Sequence, residues 1–136
     1  MASRLRPKSI FERLRDKEPM VNENLRFLFM QCADLEGVDF TGANLQGAKL
    51  TRANLRKSKL AGANMVEALM QDTDMTGADL RQANLTGAIL AGANFARSRL
   101  AEVNLQDANV CGANFKRSIG LSAEAKAYLA ARGAIV

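Results

Sequence analysis

The side chains able to do chemistry are few and poorly placed to do it together. The 136-residue chain has no histidine and no tryptophan, one tyrosine (Tyr128) and two cysteines, Cys32 and Cys111. Neither cysteine has a base nearby in sequence to activate it as a nucleophile. No cluster of residues has metal-ligand spacing, and the glycines do not gather into a phosphate-cradling loop. Catalytic, metal and cofactor sites are therefore not expected. The remaining chemical signal is charge. Lys49, Arg52, Arg56, Lys57 and Lys59 form a linear basic cluster of the kind that binds nucleic acid when it lies on one surface. The formal net charge is +5, with seven Lys/Arg against four Asp/Glu over residues 1–32, ten against nine over 33–119, and two against one thereafter.

What positions these residues is a five-residue lattice. From Leu35 to Phe115 every fifth residue is Leu, Phe, Met or Val, and the residue two before it is Ala, Ser, Thr or Val. Helices repeat their apolar face every 3.6 residues and strands every 2, so the chain must turn within each repeat. A three-residue extended segment points the small residue and the apolar centre inward, and the intervening residue, usually Asn or Asp, outward. Two corner residues follow. Glycine takes the second corner position at 37, 42, 47, 62, 77, 87, 92 and 112, as suits the positive φ of a type II turn. Four corners return the chain to its starting side after twenty residues, and the apolar faces are covered by stacking coils.

The segments ADLEG, ANLQG, ANLRK, ADLRQ, ANLTG and ANFKR resemble the pentapeptide-repeat family, over roughly residues 24–119. The resemblance implies an all-β fold, a right-handed quadrilateral β-helix of about four to five coils, here with short flanking helices. The expected divisions are an N-terminal helical cap or arm at 1–23, the solenoid at 24–119 and a C-terminal capping helix and tail at 120–136.

Twenty-residue stacking sorts the outward residues into four columns. Asn44, Asn64, Asn84 and Asn104 suggest a ladder of hydrogen-bonded amides. Asp34, Asn54, Asp74, Asn94 and Asn114 alternate so as to separate carboxylates. Asp39, Lys59, Asp79 and Arg99 suggest a charge ladder, and Arg56 over Glu36 with Arg52 beside Asp72 would neutralise much of the basic cluster. The fourth column breaks the rule: Phe29, Lys49, Leu69 and Ile89 stand where Asn or Asp belongs. This strip is a candidate protein-contact surface, unless the N-terminal segment folds back over it.

At the ends, Ser9-Ile10-Phe11-Glu12 matches a capping box opening a short helix that Pro19 ends. Ser122 should cap a second helix running to Arg132, with Gly133 as its stop. Leu121, Tyr128 and Leu129, with Ile135 and Val136, form a candidate C-terminal cap or dimer face. Cys32 and Cys111 lie nearly four coils apart, beyond disulfide reach. With no bilayer-length apolar run and no secretory signal, a cytoplasmic location is expected.

The expected function is a non-catalytic scaffold or protein-protein interaction module, with an unidentified protein or a second copy as partner. One alternative comes from the resemblance: quinolone-resistance pentapeptide proteins mimic DNA and bind type II topoisomerase (gyrase) through a rod of negative potential. Here Asp34, Glu36, Asp39, Asp72, Asp74 and Asp79 are interrupted by a basic coil. Another is binding of nucleic acid or a membrane surface through the basic N-terminal segment. Neither nucleic acid nor membrane is the expected partner.

Overall fold

The structure, a computed structural model, describes residues 5–136. Residues 1–4 of the N-terminal segment lie outside the described residues. The chain climbs in coils of twenty residues, each rung bridged in parallel to the next, as in Asn24 to Asn44 to Asn64 to Asn84 to Asn104. The four sides are numbered here by their apolar centres: side one carries Leu35, side two Phe40, side three Leu45 and side four Leu50. Each side contributes one bridged residue rather than a continuous strand, because only three residues are extended before the next corner.

The core is the inward lattice. Phe40, Leu60, Met65, Met70, Met75, Leu80 and Leu90 are fully buried, with Ala43, Ala48 and Ala68 beside them. Phe95 and Phe115, one coil apart, stack with ring centroids 4.7 Å apart and an interplanar angle of 5°. The coil begins earlier than the strict lattice, since Met20, Leu25 and Met30 are also buried. Glu23 and Leu28 replace the small residue there, so the repeat is legible only from the stacking.

The backbone donors of a repeat are accounted for completely. Around Met65, Ala63 N–H closes the turn on Leu60 O (3.0 Å), Asn64 N–H bonds to Ala43 O (2.9 Å), Met65 N–H to Asn84 O (2.8 Å) and Glu67 N–H to Thr86 O (3.0 Å). The fifth donor, Val66 N–H, is accepted by Asn64 Oδ1 at 3.1 Å. A buried or half-buried solenoid wall requires that satisfaction. Corner glycines take positive φ, as Gly42 does at 67°. Among the described residues thirteen others adopt the same region, including Glu67, Gln82 and Arg97, so the coil imposes the turn even where the sequence lacks glycine.

Helices close both ends. α1, Ile10–Arg15, has the expected capping box between Ser9 and Glu12 and buries Leu14. It stops before Pro19, at Asp16, because Lys17 turns left-handed with φ 56°. α2, Ala123–Ala131, is capped by Ser122 and buries Leu129. After Gly133 the tail adds a last rung, with Ile135 bridged to Asn114 and Phe115 N–H donating to Ile135 O at 2.7 Å. No helix among the described residues is long and apolar enough to cross a membrane.

Candidate interaction surface

The outward Asn and Asp residues serve the corners first. Asn24, Asn44, Asn64, Asn84 and Asn104 each accept, through Oδ1, the backbone N–H two residues on, at 3.0–3.3 Å. These are Asx turns, and they replace the expected amide ladder. One carboxamide oxygen lies next to the unpaired corner N–H of its own repeat, whereas its neighbours sit a full coil away. Among the described residues, ladder bonds between outward Asn and Asp side chains occur on side one, from Asn54 to Asp34 (3.2 Å) and from Asn114 to Asn94 (3.4 Å), and corner side chains bond across a coil step from Thr51 to Gln71 (3.1 Å) and from Gln82 to Glu102 (3.0 Å).

Side four gives up this bond. Phe29, Lys49, Leu69 and Ile89 do form one column of consecutive bridges, which Asn109 ends. Among the described residues, Thr51, Gln71 and Ala91 N–H have no backbone or side-chain acceptor in the fold. Leu69 and Ile89 are half-buried against their neighbours in the column, while Phe29 is 66% exposed. Lys49 swings its ammonium over the Phe29 ring, 5.8 Å from the centroid. The N-terminal helix covers the end of the coil and, of this wall, reaches only Phe29: Leu14 and Phe11 line one depression with Phe29, Met30 and Leu35, and Leu69 and Ile89 lie two and three coils beyond.

The C-terminal candidates divide. Leu129 plugs the coil end and is 1% exposed, whereas Ile135 and Val136 remain 46% and 45% exposed. Leu121 and Tyr128 are half-buried and line a groove with Val103, Leu105 and Ala125 between α2 and the last coil. Arg132 stacks on Tyr128, its guanidinium carbon 3.6 Å from the ring centroid.

The charges pair differently from the linear expectation. Arg56 follows Glu36 in the same corner column but reaches up to Asp74 on side one of the next coil, at 3.3 Å. Arg52 does not pair with Asp72 among the described residues. Lys59 does stack between Asp39 and Asp79, yet Asp79 is held by Arg81 at 2.6 Å. The Thr41 hydroxyl and N–H lower the Asp39 pKa below the ordinary carboxylate value, and Arg81 does the same for Asp79. Both cysteines are exposed free thiols, and no group of metal-binding residues occurs among the described residues.

Comparison with known proteins gives three findings. The family profile described as pentapeptide repeats matches residues 24–56, 48–87 and 78–117, with eight copies. The chain is similar to HetL, a pentapeptide repeat protein involved in heterocyst differentiation regulation from the cyanobacterium Nostoc sp. strain PCC 7120, at 32% identity over 81% of this chain and TM-score 0.73. It is also similar to Rfr23 from the cyanobacterium Cyanothece 51142, at 26% identity over 69% of this chain and TM-score 0.67. The chain spans 48% of the HetL chain and 65% of the Rfr23 chain. QnrB1, a plasmid-mediated fluoroquinolone resistance protein, shares the fold at 21% identity over 75% of this chain and 65% of that chain, with TM-score 0.55. Among curated proteins no match was found.

Proposed function

The chain belongs to the pentapeptide-repeat family, and on that premise we propose that it is a non-catalytic scaffold whose fourth side binds a partner protein. The coil is taken as right-handed, as the family resemblance implies. The observation that carries the reading is the exchange made at Leu69 and Ile89. Each leaves a corner N–H without its Asx acceptor and sets an aliphatic side chain on an outer wall. A net hydrogen bond contributes about 0.5–1.5 kcal/mol, and an outward side chain recovers that fully only when something covers it. The likeness to HetL, involved in heterocyst differentiation regulation, is consistent with a regulatory role. Exposed free thiols at Cys32 and Cys111 fit a reducing compartment such as the cytoplasm.

A topoisomerase-binding DNA mimic is the weaker reading. Lys59 and Arg99 interrupt Asp39 and Asp79 on side two, and a net charge of +5 opposes a rod of negative potential. The test is the pair Leu69→Asn and Ile89→Asn. The double variant should keep its circular dichroism and a denaturant midpoint no lower than that of the unaltered protein, since each Asn restores an Asx acceptor, while losing partner capture or, if the partner is a second copy, the concentration-dependent mass seen by light scattering. Association equal to that of the unaltered protein would overturn the reading.

A further inference from the structure

We propose that the corner between sides one and two is a phosphate-binding edge that lies along duplex nucleic acid without regard to sequence. Lys57, Lys59, Arg97, Arg99, Lys116 and Arg117 are all exposed there. None of the six enters an ion pair among the described residues. The acids closest to hand are engaged elsewhere: Asp74 holds Arg56 and Asp79 holds Arg81. Asp39, stacked against Lys59, accepts from Thr41. The next corners of the coil are neutral or acidic, with Glu67 and Asp107 against Arg26 between sides three and four and Glu102 against Arg81 between sides two and three, whereas the basic corner itself carries one acid, Glu36. A lattice that is nearly neutral by count, ten cations to nine acids, is thus polarised in space.

Arg97 and Arg117 occupy one column on consecutive coils, their backbones about 4.8 Å apart, and like charges stacked directly opposite each other are destabilising. A bound polyanion would relieve the repulsion. Two shallow depressions flank the corner. One is lined by Arg56, Asn94, Arg97, Lys116 and Arg117, the other by Lys57, Lys59, Arg81 and Arg99 together with Asp79, whose carboxylate Arg81 holds. Phosphates can therefore be met on both sides of the edge. Three of the six cations are guanidinium groups, whose planar forks match phosphate oxygens.

From Lys57 to Arg117 the edge climbs three coils, about 14 Å. Duplex DNA carries one charge per about 1.7 Å of axis, so roughly eight phosphates pass that length beside six free cations. No aromatic residue stands on the edge to stack unpaired bases, which disfavours single strands. Of the large exposed apolar residues only Ile119 lies at its end, too little for insertion into a bilayer. The edge is separate from the side-four strip, so a protein and a duplex could be held at once.

The test uses the full chain and a fluorescently labelled mixed-sequence DNA duplex of about 20 base pairs, titrated by anisotropy. With six contacts the slope of log K against log salt approaches about −5, roughly a thousandfold loss of affinity between about 50 and 200 mM salt. The variant Arg97→Gln/Arg99→Gln/Arg117→Gln should lose affinity at every salt concentration and flatten the slope to about −3, roughly a fortyfold loss over the same range. Arg26→Gln/Arg52→Gln/Lys126→Gln removes the same charge away from this edge and from the side-four strip and should keep the steep slope. The proposal is overturned if the two triple variants behave alike, if the unaltered protein does not bind the duplex, or if phosphatidylserine vesicles bind it while the duplex does not. Leu69→Asn/Ile89→Asn should leave duplex binding unchanged, so failure here and failure of the side-four reading are told apart.

Discussion

Replacing Asn84 separates two ways in which the third side could be held. Its Oδ1 accepts both Thr86 N–H at 3.0 Å and Thr86 Oγ1–H at 2.6 Å, while Asn84 N–H bonds to Ala63 O and is untouched by side-chain changes. Asn84→Ala removes both acceptor contacts and leaves the Thr86 N–H unpaired at a half-buried corner. At about 0.5–1.5 kcal/mol per net bond, the loss is about 1–3 kcal/mol. Asn84→Asp keeps an oxygen in the same place and should stay within about 0.5 kcal/mol of the unaltered protein. Equilibrium urea unfolding followed by far-ultraviolet circular dichroism reads the difference. With an m value near 2 kcal/mol/M, the alanine variant should unfold about 1 M earlier. A ladder of side-chain amides would need the Nδ2 donors, so Asp would then be as damaging as Ala. Equal losses for the two variants, or no loss for Ala, would refute the Asx-turn account of the repeat.

Two further outcomes follow from the same geometry. At Gly62 (φ 67°) an added Cβ meets nothing within 4 Å, whereas at Gly120 (φ 102°) it would lie 2.5 Å from Ala101 N. Gly62→Ala should therefore lose about 1 kcal/mol or less, and Gly120→Ala should lose more than about 3 kcal/mol, measured as urea midpoints. The pH dependence has a definite sign. The Arg6 guanidinium and the Ser9 backbone hold Glu12 down to about 2, and Asp39 and Asp79 are also lowered. A depressed carboxylate contributes stability that is present above its unfolded pKa, about 4, and is lost as pH falls through the folded value. With no histidine in the sequence, the denaturant midpoint should be level from about pH 5 to 8 and fall below about pH 4. Asp39→Asn should make that fall shallower.

The basic residues show why a linear reading misjudges a solenoid surface. Lys57 and Arg117 are sixty positions apart but stand in one column, because the chain returns to the same corner every twenty residues. The adjacent cations Arg52 and Arg56 are sent to different corners. Neutralisation by stacked acids was expected for the cluster at 49–59, yet Arg56 alone of those residues forms an ion pair among the described residues. Side-chain reach and competing turn hydrogen bonds, not column assignment, decide which carboxylate a cation meets.

The sequence by itself determined the twenty-residue coil, its buried centres from Leu35 to Phe115, the left-handed corners and the capped helices at both ends. These depend on local periodicity and on turn and cap chemistry, which neighbouring residues carry. Only the tertiary structure decided that the coil starts at Met20, that the outward amides serve their own corner N–H groups, that Leu69 and Ile89 forgo that bond, and that Lys57, Arg97 and Arg117 enter no ion pair among the described residues. Each of those depends on which groups meet across a coil step, a distance the five-residue pattern sets in general but leaves each side chain to fill.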